Sequence, residues 1–229
     1  MVRLLWDKTG ERTYETGTEH GVLFPQDKSG KYLKGIAWNG LIGVSNSAEG
    51  GEETPIYANN GKYLSMRSAE EAKGTITAYT YPKEFRECDG SKEIAPGIYA
   101  GQQARKPFGL AYETIIGNDT EGTDYSRTLH LVYGCTAAPS SRDYKTINND
   151  PEALEFSWEY TTTPAPTTKE GVRSMATIQV VEHEVGKDKY KKITDFLWGT
   201  SSTQPKFLLP DEVFALLDEE PSNDPQTES

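Results

Sequence analysis

The chain has 229 residues, enough to bury a core of ordinary size, but only 35% of them are hydrophobic, while Tyr (13) and Gly (21) are abundant, which suits strands and turns better than long helices. The formal charge is −11, and seven of the acids fall in the last twenty residues with no base among them, so the rest of the chain stands at only −4. Neither part carries the basic patch that gripping phosphates demands, and no apolar run approaches the ~18 residues of a membrane-spanning helix.

In chain order, residues 3–6 read as a short opening strand, followed by a polar, turn-rich stretch. Residues 33–44 (LKGIAWNGLIGV) contain Asn39-Gly40, a strong short-range turn signal, beside Trp38, which is expected to be buried. Residues 45–73 are long, polar and poor in core residues, apart from an apolar patch of Ile56, Tyr57, Tyr63 and Leu64. Such a stretch is expected to project as an arm that orders on a partner.

Residues 74–81 alternate Thr75, Thr77, Tyr79 and Tyr81 against Ile76 and Ala78, which predicts a strand ended by Pro82, with a helical turn before Asp89-Gly90. Residues 108–134 carry the clearest signal: two alternating apolar runs joined by a polar turn over 117–124, a hairpin. Phe108, Leu110, Tyr112 and Ile116 share one face, with Ala111 and Glu113 on the other; Leu129, Leu131 and Tyr133 oppose Thr128, His130 and Val132. Residues 153–163 place Leu154, Phe156, Trp158 and Tyr160 inward and Glu155, Ser157 and Glu159 outward, and 174–181 read as one more strand.

Helix is predicted only near the end. Over 187–198, Tyr190, Ile193, Phe196 and Leu197 form a stripe, and Gly199 stands where a C-terminal cap belongs; 211–217 add a turn or two behind Pro210. The acidic residues 218–229 have too little apolar surface to anchor them and are expected to be disordered. The fold class that follows is mainly β: an antiparallel sandwich or barrel with one flanking helix, forming a single domain over 1–217.

The sequence carries none of the common catalytic motifs. There is no Gly-x-Ser-x-Gly elbow and no P-loop, and His183-Glu184 fails as a zincin because Lys187 stands where the second histidine is needed. Glu155 and Glu159, four apart on one strand, lie some 13 Å apart by the strand rise, wider than either glycosidase geometry. Asn118, Asp119, Glu121 and Asp124 concentrate oxygen atoms without EF-hand spacing. Two cysteines, Cys88 and Cys135, and an N-terminus that turns polar too soon for a signal peptide fit reduced thiols and a cytoplasmic origin. No enzyme activity, cofactor or metal is expected.

The segments 79–91 (YTYPKEFRECDGS), 101–119 (GQQARKPFGLAYETIIGND), 129–134 (LHLVYG), 138–148 (APSSRDYKTIN) and 156–164 (FSWEYTTTP) resemble the tail tube proteins of tailed double-stranded-DNA bacteriophages. GVLFP at 21–25, IAWNGL at 36–41 and PIYANNGKYL at 55–64 fit the same pattern, in the same order. Glu113 and Asn59 depart from it: the family often has a base at the first and an acid at the second. The resemblance implies a β-sandwich virion subunit, assembled in the host cytoplasm, that forms hexameric rings stacked into a tail tube. Its implied partners are further copies of itself, the tape measure, the tail terminator and the baseplate or distal tail proteins. Double-stranded DNA would pass through the lumen without specific binding, and no membrane is involved. On that reading Ile56, Tyr57, Tyr63 and Leu64 are candidates for contact between subunits, and Glu155, Ser157 and Glu159 for the lumen wall. The competing expectations are a β-sandwich for receptor or carbohydrate recognition, using Tyr57, Tyr63 and Tyr79 as stacking platforms, and a hydrolase with a hidden carboxylate pair.

Overall fold

The computed structural model describes residues 4–68, 70–146 and 153–218. Strands β1 (Thr13–Pro25), β2 (Ile36–Ala37), β3 (Leu41–Gly50), β4 (Glu53–Ala58), β5 (Gly61–Arg67) and β6 (Glu70–Ala78) lead to a short helix α1 (Phe85–Cys88). A small hairpin, β7 (Lys92–Ala95) and β8 (Ile98–Ala100), precedes the long pair β9 (Phe108–Asn118) and β10 (Gly122–Ala137). Then come β11 (Phe156–Thr161), β12 (Thr177–Val181), α2 (Glu182–Val185), α3 (Lys187–Trp198) and α4 (Pro210–Asp218).

All strand pairings among the described residues are antiparallel, in the order β2-β1-β9-β10-β11-β6-β3, with β12 also on β10. β10 is long enough to serve two sheets. Its first part pairs with β9 and β12, and its last residues, Thr136 and Ala137, pair with β11. The register shifts between Val132 and Cys135, around Gly134 at φ +57°, and there the strand turns from one sheet into the other. The result is a sandwich with a corner strand.

Alternation along the strands supplies two cores. Leu23, Trp38, Ile76, Phe85, Phe108, Leu110, Tyr112, Val132, Trp158 and Tyr160 pack between the sheets. Phe24, Leu129, Leu131 and Tyr133 point the other way, onto Tyr190, Ile193 and Leu197 of α3, Phe207, and Val213 of α4. Each side chain of this kind contributes about 1.5–3 kcal/mol when fully buried. The hairpin strands are therefore covered on both faces, not one.

The structure alters several sequence expectations. Leu4, Leu5 and Trp6 are exposed and outside any strand. The opening strand is instead β1, hidden in the stretch read as turn-rich because its first half is polar and wet while its second half is buried on both faces. The connection in the central hairpin is shorter than expected, since Asn118 pairs with Gly122, and Asn118 Oδ1 accepts from the Thr120 and Glu121 amides to close it. β6 ends at Ala78 rather than Tyr81. Helix α3 has the predicted bounds and ends at Gly199 (φ +77°), but Phe196 is 43% exposed and Thr194 takes its place in the buried stripe. The sandwich carries more than one flanking helix, because α4 also packs on the outer core.

Trp38 is buried and donates from Nε1 to the Thr80 carbonyl at 3.0 Å, above a turn at Gly40 (φ +72°) that carries the chain from β2 to β3 in the other sheet. Cys88 and Cys135 are buried free thiols, and burial pushes the Cys88 pKa up to about 12, which leaves it unreactive. No helix among the described residues is long and apolar enough to cross a membrane. Of the acidic end, Asp218 closes α4, and residues 219–229 lie outside the described residues.

Candidate functional site

The arm expected at 45–73 is a folded structure built from strands, not a loop. β3 and β6 stay paired from Ser45↔Thr75 out to Gly50↔Glu70, well past the sandwich core. Gly50 (φ +88°) and Gly51 (φ +71°) then reverse the chain into β4, which pairs with β5. Asn59 and Asn60, at φ +50° and +62°, make the two-residue turn between them, the backbone that hairpin twist favours and asparagine tolerates. Every residue of β4 and β5 is exposed, which explains the polar composition: a two-stranded ribbon with both faces in water needs no apolar alternation.

On this ribbon Ile56 lies directly opposite Leu64, and Thr54 opposite Met66, so Ile56, Leu64 and Met66 make one apolar face. Tyr57 and Tyr63 are 68% and 72% exposed. The four arm residues singled out from the sequence are thus brought together, with Met66 added. Tyr79 is not among them. It leaves β6 at the end away from the arm, nine residues from Glu70, or about 30 Å at the strand rise, so Tyr57, Tyr63 and Tyr79 do not form one stacking platform.

The base of the arm is pinned by polar groups. Asn46 donates to the Tyr112 hydroxyl at 2.7 Å and accepts from the Tyr160 hydroxyl at 2.6 Å. Gly74, paired with both Asn46 and Tyr160, leaves room for that ring; a Cβ there would lie 2.3 Å from the Tyr160 oxygen.

The second surface is the outer face of the sheet β11-β6-β3. Ser157 and Glu159 are exposed on β11, and Glu155 is exposed just before it. In register beside them lie Thr77 and Gly43, then Thr75 and Ser45, then Lys73 and Ser47. This face is polar and no described element covers it, whereas the outer face of the other sheet is covered by α3 and α4.

A buried polar cluster lies under α3, and sequence reasoning missed it. Glu113 is only 1% exposed; its carboxylate accepts from the Tyr190 hydroxyl and meets His20 Nδ1 at 2.6 Å. His20 sits at φ +53° in a bulge of β1, and Arg127 pairs with Glu19 at 2.9 Å beside it. The ligand atoms of Glu19, His20 and Glu113 lie within 4.8 Å of one another, but their hydrogen bonds to Tyr190, to Arg127 and among themselves already occupy them, and they clamp α3 to the sheet. His130 is likewise structural: its Nε2 meets Thr114 Oγ1 at 2.8 Å, and its ring stacks on Tyr112.

Burial raises the Glu113 pKa despite its hydrogen bonds, so the neutral carboxyl is favoured by folding. Its stability contribution is complete below the unfolded value of 4.5 and is lost as pH rises through the higher folded value. Burial lowers the His130 pKa, and that contribution runs the other way: present above 6.5 and lost as pH falls through the folded value. Glu113→Gln is therefore expected to match the parent in Tm near pH 4 and to exceed it by a few degrees above the raised value. Thermal melts across that range check this, and a gap independent of pH would contradict it.

These features define a class of architecture: a mainly β protein of antiparallel sheets, with a two-sheet sandwich, a helical layer on one face and a projecting β-arm. No family model matches the chain, and no curated protein matches it. Among solved structures it is similar to a chain of a cryo-EM structure of the anti-feeding prophage (AFP) baseplate, 6-fold symmetrised. The match has a TM-score of 0.36 and 9% identity over 77% of this chain and 97% of that chain.

Proposed function

We propose that the protein is a structural subunit of a phage tail, and specifically a tail tube subunit that polymerises into stacked hexameric rings around the path of the genome. The observation that carries this reading is the arm: an exposed ribbon with an apolar face of Ile56, Leu64 and Met66 and two exposed tyrosines, held at a fixed base. Apolar surface on a projecting element has a use when a neighbouring subunit covers it. The ordered set of segments resembling tail tube proteins supports a second copy in the tube as that neighbour. The edge strands β3 and β12 offer unpaired backbone groups for ring closure, a heterologous contact that closes when its rotation divides a full turn. Negative-stain electron microscopy of the concentrated protein tests the reading. Stacked rings of uniform bore are expected, and a monodisperse monomer at millimolar concentration would overturn it.

Within that tube the open polar sheet face lines the lumen, and Glu155, Ser157 and Glu159 repeat around each ring. Negative side chains there keep a polyanion from adhering, whereas lysines would contact phosphates and release counterions. Glu155→Lys combined with Glu159→Lys is expected to leave assembly intact and to slow DNA ejection, most at low salt where screening is weakest. Parental ejection rates at every salt concentration would place this face outside the bore.

A further inference from the structure

Away from the arm and the open sheet face, a cavity of about 700 Å³ opens between the turn after β1 and the segments flanking the β7–β8 hairpin. We propose that it is a binding site for a small multivalent oxyanion, of the phosphate-ester or polycarboxylate kind. Its charged lining is Lys28, Lys92, Arg105 and Lys106 with Asp27 and Glu87, a net positive enclosure on a chain of charge −11.

The two acids are already engaged. Glu87 pairs with Lys106, and Asp27 Oδ1 accepts from the Ser29 amide at 2.8 Å, the Ser29 hydroxyl at 2.6 Å and the Lys31 amide at 3.0 Å. Lys28, Lys92 and Arg105 have no ion pair with any described residue. The buried Arg105 Nε has no hydrogen-bond partner among the described residues, so no protein acceptor there competes for the guanidinium charge. A cation that the protein leaves unpaired keeps its charge available to an anion in the cavity.

The walls are set in advance. The Gln26 amide donates to the Pro107 carbonyl at 2.8 Å, Gln103 to Gly90 at 2.9 Å, and Lys106 to Glu87 at 3.1 Å, bracketing Arg105 on both sides. Gly90, at φ +78°, lets the guanidinium lie close against the backbone; a Cβ there would come within 3.2 Å of Arg105 Cζ. A planar fork with two ammonium groups around it suits an anion with several oxygens. The volume falls in the range of small-ligand pockets, yet none of the described residues that line it is aromatic, which leaves no stacking platform for a nucleobase among them. This inference does not depend on the tail tube reading.

Isothermal titration calorimetry of the full chain with pyrophosphate, and separately with citrate, at constant ionic strength tests it. A saturable one-site isotherm is expected for at least one of them, weakened about tenfold or more in Arg105→Ala. Lys92→Ala, an exposed position, should weaken the same isotherm and guards against misfolding of the arginine variant, while Lys191→Ala on α3 should leave it unchanged. Tighter pyrophosphate binding assigns the site to phosphate esters, and tighter citrate binding to polycarboxylates. Absence of saturable heat with both, or equal affinity in all three variants, overturns the proposal.

Discussion

Gly134→Ala is expected to lower Tm by about 10 °C. The residue sits at φ +57°, a region that costs an alanine about 1–2 kcal/mol. A Cβ there would also lie 2.4 Å from the Thr163 carbonyl oxygen and 3.1 Å from the Thr163 amide nitrogen. These are backbone atoms that cannot swing aside, because the Thr163 amide donates to the Gly134 carbonyl at 3.0 Å and the Gly134 amide donates to the Tyr32 hydroxyl at 2.9 Å. Overpacking of this kind adds about 1–3 kcal/mol, and each kcal/mol moves Tm by about 2–4 °C in a domain of this size. Gly171 provides the control: it too has positive φ, +77°, but nothing lies within 4 Å of its Cβ position. Gly171→Ala should show the conformational cost alone. Equal losses at both sites would mean that the corner of β10 tolerates a side chain.

Tyr57→Ser combined with Tyr63→Ser is expected to abolish tube formation while leaving the subunit folded. Both rings are more than two-thirds exposed, so their loss removes little intramolecular packing, and the thermal midpoint should stay within about 2 °C. If the arm docks on a neighbouring copy, each ring moves from water into an interface, where a single aromatic anchor is commonly worth about 2 kcal/mol or more. Two such losses at every contact raise the concentration needed for assembly about a thousandfold, and sedimentation velocity across a concentration series reads that directly. Normal tubes from the double variant would move the contact to Ile56, Leu64 and Met66, or off the arm altogether.

Legibility from sequence depended on what each segment faces. Residues 108–134 were readable because their long apolar runs alternate between two cores, and the alternation from Leu154 to Tyr160 and helix 187–198 because each presents an apolar period to one core. β1 was not, because its polar half and its doubly buried half give opposite patterns within one strand. The arm was visible as a polar stretch with four apolar residues, but its strands were not, since a ribbon wet on both faces has no periodicity; Asn59-Asn60-Gly61 was the available turn signal. Glu113 reads as the outward partner of Tyr112, and only the packing of α3 reveals it as buried. His20, Tyr190 and Arg127 are far from it in the chain, and pairing of that kind leaves no local trace.

The long ladder between β3 and β6 has a mechanical meaning. It runs without interruption from Val44↔Ile76 beside the core to Gly50↔Glu70 at the root of the outer hairpin, and β6 continues into β11 and β10. Tension applied to the arm draws β3 and β6 in the same direction, so the load passes in shear to the ladder between β6 and β11, from Lys73↔Thr161 to Ala78↔Phe156, whereas a sideways pull would peel those bonds one at a time. Asn46, Tyr112 and Tyr160 tie the ladder to the sandwich at the point where it leaves the body. An arm built this way acts as a stiff lever anchored in the core, and strain at its tip is delivered to β10, the strand that both sheets share.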